Sequence, residues 1–181
     1  PAIVLRGYGD DEPLVHGRLN PGIAVIVDSD RVSGIERAHS GGADAAILDD
    51  AFQHRRAARD VDLVLVSADD WIGKVHSLPR GPYREPLSAL ARASAIIITR
   101  KAASDDVVDS VEKTLAHVAS ETPVAVMRLE LGELVSVSAP VQHLALEAIR
   151  GKRVLAIAGV GNTEAFFRQL ENAGAMVNRR S

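Results

Sequence analysis

Short apolar runs rich in valine and isoleucine recur along this chain, at Ala2 to Leu5, Ile23 to Val27, Ala45 to Leu48, Leu63 to Val66, Ala95 to Ile98, Val124 to Met127 and Val154 to Ala158. Most of them lack the polar–apolar alternation of a half-exposed strand. Continuous apolar runs of this length fit strands covered on both faces, as in parallel sheets. Helical patterns lie between several of the runs. Arg31 to Ser40 follows Asp28-Ser29-Asp30, which offers N-cap carboxylates, and stops at Gly41-Gly42. Ser104 to Ser120 sets Val107, Val108, Val111, Leu115 and Val118 at helical spacing. Thr163 to Ala173 follows the turn Gly159-Val160-Gly161-Asn162 and stops at Gly174. Strands alternating with helices predict an α/β fold, a mostly parallel sheet flanked by helices. Gly132 to Leu146 is less regular. The expected organisation is a core over residues 1–130, a connecting region over 131–150, and a strand-turn-helix over 151–181 that begins a second, smaller α/β lobe.

A chain of 181 residues can bury one sizeable core. With 46% hydrophobic and 25% charged residues it has a globular rather than a disordered composition. A net charge of −3 argues against a general nucleic-acid binder. Cysteine is absent, which excludes disulfides and thiolate metal sites. No apolar run approaches the ~20 residues that span a bilayer. The chain opens directly in a strand pattern without an initiator methionine, and the expectation is a segment of a longer protein.

Ligands of parallel α/β sheets bind at the carboxyl ends of the strands, so the residues just after each apolar run are the ones to inspect. Ala45-Ala46-Ile47-Leu48 ends in Asp49-Asp50. Magnesium takes oxygen ligands and keeps several waters, so one or two carboxylates plus phosphate oxygens make a site. On the pattern alone the pair reads equally as a magnesium site or as strand-terminating aspartates facing water. Phe52-Gln53-His54-Arg55-Arg56 follows at once, and an amide, an imidazole and two guanidiniums are donors suited to phosphate. Arg6-Gly7-Tyr8-Gly9-Asp10-Asp11-Glu12-Pro13 runs from a strand into a glycine-flanked acidic turn. A carboxylate there could accept a proton from an attacking hydroxyl. By itself the stretch reads first as a surface turn ended by proline. Leu78-Pro79-Arg80-Gly81-Pro82-Tyr83-Arg84-Glu85-Pro86-Leu87 is a stiffened loop with an Arg-Glu pair, either a site or a rigid connector. Gly159 to Asn162 reads first as a structural strand-to-helix turn. The phosphate-binding pattern Gly-x-x-x-x-Gly-Lys-[Ser/Thr] does not occur in the chain.

Taken in order, these stretches resemble the tetraacyldisaccharide 4′-kinase family of lipid A biosynthesis. Leu48-Asp49-Asp50-x-Phe52-Gln53-His54-Arg55 and Arg84-Glu85-Pro86-Leu87 carry the likeness most specifically. Arg6-Gly7-Tyr8-Gly9, Asp11-Glu12-Pro13, Asp30-Arg31, Thr99-Arg100 and Ala158-Gly159-Val160-Gly161-Asn162 extend it through most of the chain. The resemblance implies a P-loop NTPase-like fold in two lobes, with ATP and Mg2+ as cosubstrate and cofactor. It also implies a glycolipid acceptor, tetraacyldisaccharide 1-phosphate, met at the cytoplasmic face of the bacterial inner membrane, with no nucleic acid and no obligate protein partner. Asp11 matches the family's catalytic aspartate, with Glu12 beside it, and Arg84 an active-site arginine. Asp49 and Asp50 match the metal-binding carboxylates, joined by Glu85, and Gln53, His54 and Arg55 the adjoining nucleotide-site residues. The family's glycine-rich nucleotide loop is expected upstream of Pro1, and the histidine that partners the catalytic aspartate beyond Ser181. Asp10 and Ala51 stand where glycine is usual. The alternative is a magnesium-nucleotide-binding α/β module without transferase activity.

Overall fold

The computed structural model describes residues 1–181 except Tyr8, Asp10, Lys74, Val75, Pro82 and Ser181, with the main chain alone for Arg180. It divides into two compact units, Pro1–Asp62 and Leu63–Ser181.

In the first unit β1 (Ala2–Leu5) is the middle strand of a parallel sheet, between β2 (Ala24–Val27) and β3 (Ala46–Leu48). Being central, it is buried along its whole length, which is why Ala2-Ile3-Val4-Leu5 carries no polar residue. Helix α1 (Asp11–Leu19) joins β1 to β2, and α2 (Arg31–Ser40) joins β2 to β3. Asp30 caps α2 by accepting a hydrogen bond from the amide of Val32 at 3.0 Å, as its sequence predicts. The buried face of α2 is Arg31, Gly34 and Ala38, and Ala38 packs with Ala2 and Val4. Parallel pairing puts the carboxyl ends of all three strands on one edge. There the ladder runs on, the amide of Asp28 donating to Leu5 O and that of Asp49 to Val4 O. Gly7 leaves β1 at φ 73°, and a side chain there would meet Val27, so the turn requires glycine.

In the second unit β4 (Leu63–Ser67), β5 (Ala95–Arg100) and β6 (Val124–Arg128) form a parallel sheet with β5 in the centre. Ile96 and Ile98 of β5 are fully buried. Helix α3 (Asp105–Val118) lies against β5 and buries Val108, Val111 and Leu115, the middle of the predicted stripe. The irregular stretch after β6 forms a short antiparallel hairpin, β7 (Leu134–Val135) with β8 (His143–Leu144). β9 (Arg153–Ile157), α4 (Thr163–Asn172) and β10 (Met176–Arg180) make a parallel strand-helix-strand unit around Ile149, Ala156, Phe167, Leu170 and Ala175. Asn162 caps α4 through the amide of Ala165. Among the described residues no helix is long and apolar enough to cross a membrane.

Candidate active site

The carboxyl edge of the first sheet gathers seven of the predicted residues. Asp49 and Asp50 follow β3 directly, Asp49 half-buried and Asp50 exposed. Asp50 has φ 48°, the only positive value at a non-glycine residue among those described. That left-handed conformation is uncommon outside glycine, although aspartate tolerates it better than most. The loop then folds back on itself. Gln53 Nε2 donates to Asp50 O at 3.2 Å, the His54 amide to Ala51 O at 2.8 Å, and the Arg55 amide to Gln53 O at 3.0 Å. Gln53, His54, Arg55 and Arg56 line an open cavity of about 520 Å³ whose other wall is Ser29 to Val32, the start of α2. The guanidiniums of Arg55 and Arg56 suit the cavity to anions, while at the helix start the Asp30 carboxylate already takes the amide of Val32.

Asp11 and Glu12 occupy the first turn of α1 and are exposed. The sequence pattern suggested a turn at this point. The chain instead turns at Gly7 and Gly9 and is helical from Asp11, where acidic residues suit a helix start. Tyr8 and Asp10 of that motif lie outside the described residues. Asp28, after β2, accepts from the amide of Asp30 at 2.9 Å and from Arg37 at 3.3 Å. The Asp30 amide, and after it Arg37, hold the Asp28 carboxyl below its ordinary value.

Arg84 and Glu85 belong to the second unit, in the loop before a 3₁₀ helix at Leu87–Arg92. Glu85 forms an ion pair with Arg92 at 2.7 Å, and Arg84 is exposed. Pro82 of this loop is outside the described residues. In the same unit Asp70 accepts from Ser67 Oγ and from Asn162 Nδ2, joining the ends of β4 and β9. Partial burial, and then the Asp70 carboxylate, raise the Tyr83 phenol above its ordinary value.

Three residues of the first unit have contacts that the sequence reading gave no role. His16 of α1 places Nε2 3.2 Å from Asp49 Oδ2, tying the helix that carries Asp11 and Glu12 to the strand end. Arg31 is 3% exposed and donates to Asp28 O and Asp49 O. Arg59 donates to the carbonyls of Ala51 and His54 and pairs with Asp62. No local pattern marks the first, because its partner Asp49 lies 33 residues away along the chain. No local pattern marks an arginine that reaches five or eight residues back along its own loop.

Among the described residues no three His, Cys, Asp or Glu side chains gather as a metal cage. Magnesium beside a nucleotide needs none, since one or two carboxylates, substrate phosphates and water complete its shell. Two accessible carboxylates at an open strand end fit that kind of site.

The chain is a member of a kinase family. All of it, residues 1–181, matches the model of LpxK, tetraacyldisaccharide-1-P 4′-kinase, and the chain belongs to that family. It is 40% identical over 180 residues to the tetraacyldisaccharide 4′-kinase of Anaeromyxobacter sp. (strain Fw109-5), covering 97% of this chain and 48% of the relative. It is 35% identical to that of Chlorobium limicola, with 95% and 48% covered, and 33% identical to that of Nitrobacter winogradskyi, with 98% and 53% covered. The chain thus spans about half the length of the curated relatives it matches. No solved structure matches it.

Proposed function

We propose that the protein carrying this chain moves the γ-phosphate of ATP to the 4′-hydroxyl of tetraacyldisaccharide 1-phosphate, at the cytoplasmic face of the inner membrane. The observation that carries this reading is the Asp49-Asp50 strand end beside the Gln53–Arg56 cavity wall, in a chain that matches the kinase family throughout. Phosphoryl transfer is mostly positioning and charge stabilisation, and these groups suit both tasks.

Asp49 and Asp50 hold hydrated magnesium through their carboxylates. Bound magnesium neutralises charge on the phosphates. Gln53, His54 and Arg55 orient phosphate oxygens with their N–H donors. Asp11 accepts the proton of the sugar hydroxyl, with Glu12 in the same helical turn. Glu85, in the second unit, is paired with Arg92. No protein partner is needed for any of these roles.

The test is Asp11→Asn in the full-length protein. Loss of a positioned base lowers turnover by ~10²–10⁴-fold, while ATP binding stays near wild type. Normal turnover would remove Asp11 from the reaction. A folded, ATP-binding protein that phosphorylates no lipid would be a magnesium-nucleotide-binding module instead.

A further inference from the structure

Two arginines grip the main chain of the acidic loop. Arg31 is the one charged residue classed as buried among those described, and its guanidinium donates to Asp28 O at 2.9 Å and Asp49 O at 3.1 Å. It thereby clips the carboxyl ends of β2 and β3 together. Arg59 approaches the same loop further along. Its Nη1 donates to Ala51 O at 3.1 Å and His54 O at 2.7 Å, while Nε and Nη2 lie 2.7 Å and 3.2 Å from the two oxygens of Asp62. With Gln53 Nε2 on Asp50 O, side chains hold the carbonyls of residues 49, 50, 51 and 54.

Burying a guanidinium costs several kcal/mol of solvation, and two carbonyls return only part of it. Fold stability alone is a poor reason for such an arrangement. The segment it holds contains Asp50 at φ 48°, and a strained residue persists only where its surroundings over-determine it. We propose that Arg31 and Arg59 are positioning residues, which fix the Asp49–His54 loop so that its carboxylates meet a divalent cation. The proposal rests on the reading of Asp49 and Asp50 as metal carboxylates. Groups that orient metal ligands without touching the metal typically matter ~10–100-fold in affinity.

The experiment uses the full-length protein with Arg31→Lys and Arg59→Lys, and Asp62→Asn as a variant that loosens Arg59 without removing it. An ammonium keeps the charge but cannot span two carbonyls with a planar fork. Mn2+ binding is followed by electron paramagnetic resonance, and amide hydrogen exchange is read at His54 and Ala57. Both amides donate within the loop, to Ala51 O and His54 O. We expect Mn2+ affinity to fall ~10–100-fold and protection at His54 and Ala57 to drop, with protection at buried Ile96 and Ile98 unchanged. A folded variant that binds Mn2+ within about twofold of wild type, well short of that range, overturns the proposal and leaves the metal reading standing. A wild-type protein that binds no Mn2+ overturns the metal reading, and the positioning role with it.

Discussion

Gly34 lies on the face of α2 that packs toward the first sheet, and alanine there measures how tightly helix and strand are joined. A methyl group at this position would sit 2.5 Å from Val4 Cγ1 and 3.4 Å from Asp28 Cβ. Carbon atoms rest ~3.5–4.0 Å apart, so the helix must move out by roughly 1 Å or Val4 must leave its rotamer. Val4 is 0% exposed in the central strand. Overpacking of this kind costs ~1–3 kcal/mol, and the short contact places it in the upper part of that range. Alanine returns ~1 kcal/mol through helix propensity. The net expectation is a loss of ~1–2 kcal/mol. Urea denaturation of wild-type and Gly34→Ala protein reads it directly. Val4→Ala removes the methyl group that clashes, so Gly34→Ala should cost almost nothing in that background. The double-mutant cycle should then show coupling of at least ~1 kcal/mol. Wild-type stability in Gly34→Ala, or an equal penalty in both backgrounds, would mean that the Gly34–Val4 contact is not tight.

Leu115 is 0% exposed on α3, and Leu115→Ala should destabilise by ~2–5 kcal/mol, read as a lower denaturation midpoint. Asp50→Ala should weaken magnesium dependence, and an unchanged magnesium titration of activity would remove that carboxylate from the metal site. The Asp28 carboxyl is held below its ordinary 3.8, so its charged form stabilises the fold above that value and the contribution fades as pH falls through the lower folded pKa. Asp28→Ala should therefore be less stable than wild type at pH 7, and the gap should narrow below pH 3.8, as denaturation at both pH values would show.

The parallel α/β class was readable because buried strands carry continuous apolar runs. Ala2 to Leu5 and Ala95 to Ile98 are the central strands β1 and β5. The cap of α2 was readable for a similarly local reason, since Asp30 accepts from an amide two residues ahead. Helix α1 was not, because it buries none of its residues and so shows no apolar stripe. β10 was missed because Met176-Val177-Asn178-Arg179-Arg180 is polar over most of its length and pairs only with β9. At the site, acidic and basic residue types pointed to phosphate and metal chemistry. The grip of Arg31 and Arg59 did not show, because main-chain carbonyls are acceptors at every position and leave no pattern in side-chain identity.

The proposed reaction is phosphate transfer to a lipid sugar. Full-length protein should be incubated with γ-labelled ATP, magnesium and tetraacyldisaccharide 1-phosphate, and the lipid product isolated. Label is expected on the lipid, at the 4′ position, abolished by Asp49→Asn together with Asp50→Asn. Unlabelled lipid from folded protein that still binds ATP would contradict it.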